Sequence, residues 1–191
     1  MKIAQKNLIN ELLINLEKSI ISVKNLQKLP LEKLNYKKNT LSWSVLECLE
    51  HLNLYGNFYL PEIQKTIEKA IEKQTLQSQS IVNQTFNSGF FGEIFVDFIQ
   101  VKNGKIKKMK APKNKMPVNS GLDYQTIITF SAQLDTLRLL LEKTREKEID
   151  MMKAKTPISI TKLIKFSLGD TFRFVVFHIE RHVLQAENTQ I

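Results

Sequence analysis

The sequence has little of what would staple a chain or break it into short pieces. It holds a single cysteine, Cys48, in 191 residues. One thiol cannot close an internal disulfide framework, and it cannot furnish the cysteine cluster of a structural zinc site. Glycine and proline are scarce, at six and five, and the places where they fall mark the expected connections between long elements. No apolar run exceeds a few residues, so no stretch reads as a membrane span. The opening stretch "MKIAQKNLINELL" has polar residues interspersed and lacks the unbroken apolar centre and small-residue cleavage site of a secretory leader. A cytoplasmic location is the expectation. No internal repeat or low-complexity tract is visible.

What is present is an ordinary globular composition, 42% hydrophobic and 25% charged. The length suits a single domain over 1–191, able to bury a core without staples. The net charge of +9 is not spread evenly. Seven lysines fall within 102–115, "KNGKIKKMKAPKNK", and without that segment the chain would be nearly neutral. The sequence therefore describes one basic loop rather than a basic surface. Lys105, Lys107, Lys108 and Lys110 are its candidate anion-binding group. The loop has no arginine or aromatic residue to stack on bases, which disfavours nucleic acid as a partner and favours a solvated loop.

Apolar spacing predicts helices. Ile9, Leu12, Leu13, Leu16, Ile20 and Val23 follow helical periodicity within 4–28. "KLPLEKLNYKKNT" reads as a connection. Ser44 and Glu47 have capping-box spacing, with Trp43 and Cys48 at the two staple positions, so a second helix is expected from about Ser44 to Gln74. Pro61 is expected to kink or break it. A third helix is expected over 124–148, where Ile127, Phe130, Leu134, Leu137 and Leu141 alternate spacings of three and four. Gly169 and Asp170 read as a break before a last helix over 171–187. Four long helices and no convincing strand run predict an all-α four-helix bundle. Its connection from the second to the third helix, 75–123, is unusually long. Within it, "FFGEIFVDFIQVK" fits either a short helix or an amphipathic strand.

The chain has three histidines. His178 and His182 are four apart, so their rings share one face of the last helix. Half-buried histidines are commonly just hydrogen-bonded, and packing alone would explain the pair. Phe174, Phe177, Ile179 and Val183 make this helix apolar on more than one side, however, and two imidazoles buried together need partners for four nitrogens. A divalent ion is one such partner. His51, on the second helix, could complete the set if the two helices face each other. Three imidazoles without thiolate suit zinc, nickel, iron(II) or manganese and leave positions open for water or substrate.

"LSWSVLECLEHL" at 41–52 resembles the second helix of the DinB-like superfamily, with its tryptophan-serine helix start and following histidine. "FHIERHVLQAE" at 177–187 resembles that family's last helix, with histidine, then arginine-histidine, then glutamine. The resemblance implies a four-helix bundle whose divalent metal is held at the positions of His51, His178 and His182. It also implies thiol-S-transferase or hydrolase chemistry, with a low-molecular-weight thiol or water as the activated group. The chain departs from that pattern in its long basic stretch over 75–122 and in the aromatic residues Phe172, Phe174 and Phe177.

Glu47, Tyr55, Phe174 and Gln185 are the candidates to line such a site. Capping already explains Glu47, Tyr55 is expected to pack with its hydroxyl at the surface, and Gln185 reads more readily as a solvated side chain than as a ligand. Trp43 is expected to pack across the helix start, and Cys48 to be a small buried hydrophobe. The expected function is a metal-dependent enzyme acting on a small molecule, with no membrane partner and with a homodimer as one way to cover an apolar helix face. The alternative is a non-catalytic helical module that uses loop 102–115 to contact nucleic acid or an acidic partner.

Overall fold

Four long helices carry the core of the computed structural model, which describes residues 1–77, 85–102, 104, 106–107, 109–117, 121–161 and 163–189. They are α1 (Gln5–Leu26), α3 (Val45–Gln77), α5 (Tyr124–Glu146) and α6 (Leu168–Asn188), with a five-residue helix α2 (Leu31–Asn35) between the first two. The fold is all-α. α1 and α3 each pack against both α5 and α6. The apolar stripe read from α1 is buried at Ile9, Leu12, Leu16, Ile20 and Val23, and every residue of the α5 seam is buried as well. Each such side chain contributes roughly 1.5–3 kcal/mol when fully removed from water.

The helix starts follow local chemistry. Ser44 N–H donates to Glu47 Oε2 at 2.8 Å and Glu47 N–H donates to Ser44 Oγ at 3.2 Å, a reciprocal capping box. Asp123 caps α5 by accepting from Gln125 N–H at 2.8 Å. Two positions expected to disturb helices lie within them. α3 runs unbroken through Pro61, because Leu60, Ile63 and Ile67 on either side of it are buried and tertiary packing outweighs one lost backbone bond. Gly169 and Asp170 are not a break but the first turn of α6, which Ser167 caps by accepting from Asp170 N–H at 3.1 Å.

The long connection has structure of its own. Thr85–Asn87 forms β2, pairing antiparallel with β1 (Lys2–Ala4) in the register Ile3 opposite Phe86. The ambiguous segment after it is a helix, α4 (Phe90–Ile99), and not a strand. A second small antiparallel pair, β3 (Lys155–Pro157) with β4 (Lys165–Ser167), leads into α6. These short strands escaped the sequence reading because three residues are too few to show an alternating pattern.

α4 packs directly on α6, and glycine permits the approach. A Cβ on Gly92 would lie 2.3 Å from Asp170 Cγ, and one on Gly169 would lie 2.2 Å from Phe86 Cε2. An ion-pair network fastens the contact. Arg173 Nη1 meets Asp170 Oδ1 at 3.2 Å and Glu93 Oε2 at 3.0 Å, and donates to Ser88 Oγ at 2.7 Å. Docked in this way, α4 forms one wall of a cavity whose floor lies between α3 and α6.

Candidate metal centre

His51 sits two turns into α3, and His178 and His182 sit one turn apart on α6. Because α3 packs on α6, the three rings meet. Their centroids are 5.1 Å (His51–His178), 4.5 Å (His51–His182) and 4.7 Å (His178–His182) apart. All three residues are buried. One ligand nitrogen from each can be chosen so that the three lie within 4.8 Å of one another, and this is the histidine cluster found among the described residues.

Second partners fix the tautomers. His51 Nδ1 lies 2.6 Å from the Lys115 carbonyl. A carbonyl can only accept, so Nδ1–H donates and the lone pair of the neutral ring stands on Nε2. His182 Nδ1 likewise donates to Gln185 Oε1 at 3.0 Å. His51 Nε2 then faces His178 Nε2 at 3.3 Å. Two nitrogens each ~2.0–2.1 Å from one tetrahedral zinc ion would stand roughly 3.4 Å apart. The donor set, its spacing and its second partners therefore fit a divalent cation.

The electrostatics agree with that donor chemistry. Burial lowers the His51 pKa to about 4; the Lys115 carbonyl opposes this, while the charges of Lys115 and Arg181 add to it. His178 and His182 are held well below the ordinary histidine range, first by burial and then by their neighbours, including Arg181. Neutral imidazoles are the metal-binding form.

Aromatic residues enclose the cluster. Trp43 stacks on His182 with centroids 5.7 Å apart and tilts against His51 at 4.9 Å. The Tyr55 ring stands 4.4 Å from that of His178 and 5.0 Å from that of His51, and Phe174 stacks on His178 at 5.4 Å. Burial pushes the Tyr55 hydroxyl up to about 12, so it stays protonated. Tyr59 also lines the cavity and accepts from Ser159 N–H at 3.2 Å. Glu47 is absent from the lining; besides its cap it pairs with Lys37 at 2.9 Å. Cys48 is fully buried, and burial raises its thiol far above the range in which it could ionise.

The cavity above the cluster measures about 1010 Å³. Its walls come from α4, from residues 106–107, 109–112 and 116, and from residues 158–160 between β3 and β4. The basic loop is therefore not simply solvated. Lys110 lines the cavity, Lys107 Nζ lies 5.7 Å from the Phe98 ring centroid, and Lys115 Nζ lies 5.2 Å from that of Tyr55. Lys105 and Lys108 lie outside the described residues. Sequence reasoning gave no role in the site to Trp43, Tyr59, Lys115 or Arg181. The arginine-histidine pair at 181–182 was the one available signal, and its spacing could not say what Arg181 faces.

Among the described residues, no helix is long and apolar enough to cross a membrane. Neither a curated protein nor a solved structure matches the chain. A family model does match, over residues 22–186, a span that holds all three histidines and the walls around them. The chain belongs to the DinB superfamily.

Proposed function

We propose that the protein is a metal-dependent enzyme in which His51, His178 and His182 hold a divalent ion, one of zinc, nickel, iron(II) or manganese. The observation that carries this reading is the convergence of three buried, neutral imidazoles at the floor of a cavity of about 1010 Å³. A divalent ion bound there would lower the pKa of a water or thiol into the neutral range and supply the nucleophile for hydrolysis or thiol transfer.

The chain's own residues prepare the site. Lys115, through its carbonyl, and Gln185, through its side-chain oxygen, orient the rings of His51 and His182. Trp43, Tyr55 and Phe174 pack around the imidazoles and exclude bulk water, which strengthens electrostatic interactions within the site. With no carboxylate or thiolate joining the histidines among the described residues, positions remain for substrate and nucleophile. The segment 106–116 contributes cavity wall and a ring-orienting carbonyl, which favours the enzyme over a binding module built on exposed lysines.

Elemental analysis of the purified, tag-free protein beside His51→Ala and His178→Ala tests the reading. Near-stoichiometric metal in the parent and loss in both variants is the expected result. Parent protein that takes up no zinc, nickel, iron(II) or manganese would end it. Thiol-transfer and hydrolase screens on the metal-loaded parent then separate the two chemistries.

A further inference from the structure

Arg181 precedes His182 on α6 and lines the cavity, yet it is only 4% exposed. Its Nη2 donates to the Lys107 carbonyl. Its Nη1 is buried and has no hydrogen-bond partner among the described residues. Nor does any carboxylate pair with it among those residues. The other polar groups of the cavity give no compensation, because they are neutral imidazoles, hydroxyls and amides, with the cations Lys107 and Lys110 toward the mouth. A buried donor left unmade costs about 1–3 kcal/mol, and a buried charge without a partner costs more. Among the described residues, the fold thus holds a guanidinium with an unpaired donor at the edge of a space lined mainly by aliphatic and aromatic side chains. An oxyanion is the partner that would satisfy both its charge and its hydrogen.

The remaining walls define what the oxyanion is attached to. Phe95, Ile99 and Phe166 line the interior. Leu41, Ile160 and Phe98 line the mouth while remaining 95%, 68% and 55% exposed. Large apolar side chains gathered at an open rim mark a binding surface, not a solvated one. The volume lies at the upper end of the ~300–1,000 Å³ typical of ligand pockets.

We propose that the cavity takes an amphiphile, with a single oxyanion head, carboxylate or phosphate monoester, bound at Arg181 and an apolar body lying against α4 and the residues between β3 and β4. This rests on the reading of the cavity as the substrate space of the three-histidine centre, and it names the class of that substrate. The head sits beside the histidines, and the apolar body reaches the mouth, where Leu41 and Phe98 cover it.

Calorimetric titration with dodecanoate, dodecyl phosphate and dodecanol tests the proposal, on chelator-treated protein and on zinc-incubated protein. At least one oxyanion amphiphile is expected to bind the chelator-treated parent at least about tenfold more tightly than dodecanol, the worth of one charge-assisted hydrogen bond. The better of the two oxyanions identifies the head. In Arg181→Gln that advantage disappears while dodecanol binding is unchanged, which also shows that the variant is folded. Three results would overturn the proposal: no binding by any of the three, equal binding of dodecanol in the parent, or an oxyanion advantage that survives Arg181→Gln. The last, if it also required zinc, would place the head on the metal and leave the three-histidine reading standing. Expected binding in a protein that takes up no metal would keep the assignment of Arg181 and remove the enzyme reading. Should Arg181→Gln fail to fold, Arg181→Lys takes its place, with the oxyanion advantage expected to fall and its full retention overturning the proposal, and equal binding of dodecanol in the parent overturns it without any variant.

Discussion

α6 carries two buried arginines, Arg173 and Arg181, two turns apart and each 4% exposed. Their surroundings are opposite. Arg173 is tied to Asp170, Glu93 and Ser88, and through them fastens α4 and the start of the long connection to the helix core. Arg181 donates from Nη2 to a main-chain carbonyl, and its buried Nη1 has no partner among the described residues. A charge buried with its partners is part of the scaffold, whereas a charge buried without them and facing a cavity is a binding group whose partner comes from outside. The same residue type on the same helix thus serves the fold at one end and the site at the other. What separates them is the element each one faces.

That contrast can be broken most directly by deleting each side chain. Arg173→Met strands Asp170 in the interior and is expected to lose about 3–5 kcal/mol, the usual penalty for breaking a buried pair. Arg181→Met removes an uncompensated charge and is expected to stay within about 1 kcal/mol of the parent. Urea unfolding of both variants reads the difference, and equal losses would erase the distinction between scaffold and site.

A smaller effect sharpens the site end. An unfolded histidine titrates near ~6.5, and folded His51 near about 4. Between those values the unfolded chain binds the extra proton, so stability rises with pH. The contribution is complete above about 6.5 and is lost as pH falls toward about 4. Metal-free protein should therefore lose on the order of 2 kcal/mol between pH 6.5 and 5 from His51 alone. His178 and His182, shifted in the same direction, steepen the slope. Urea midpoints across that range measure it, and His51→Asn should flatten the curve.

The smallest expected effect lies at the scaffold end. In Gly169→Ala the new methyl meets the Phe86 ring at 2.2 Å. Overpacking of roughly 1–3 kcal/mol is offset in part by alanine's advantage of ~0.5–1 kcal/mol over glycine within a helix. A net loss of about 1–2 kcal/mol in urea midpoint, with metal content unchanged, would assign Gly169 to packing and not to the centre.

Much of the helical frame was legible because its causes are local. The α5 seam, the Ser44–Glu47 box and the stripe on α1 each depend on residues within a turn or two, and each stands where its pattern placed it. Where a local rule gave way, one cause accounts for it. Pro61 and Gly169 are helix breakers by local rule, yet one lies inside a helix clasped by buried leucine and isoleucine, and the other opens a helix against an aromatic ring. In both places long-range packing overrides the local preference. β1 and β2 were invisible because their pairing joins segments more than eighty residues apart in the chain.

The sequence by itself determined that the protein is helical, that His178 and His182 share a face, and that the chain belongs to the DinB superfamily. Spacing along one helix is a local property, and the chain spells it out. Only the tertiary structure decided that His51 meets that pair, that the basic loop turns two backbone carbonyls toward His51 and Arg181, and that Arg181 has no counter-charge among the described residues. Those facts depend on which elements come together across the fold. A buried group's partners are set by its neighbours in space, which composition and periodicity do not specify.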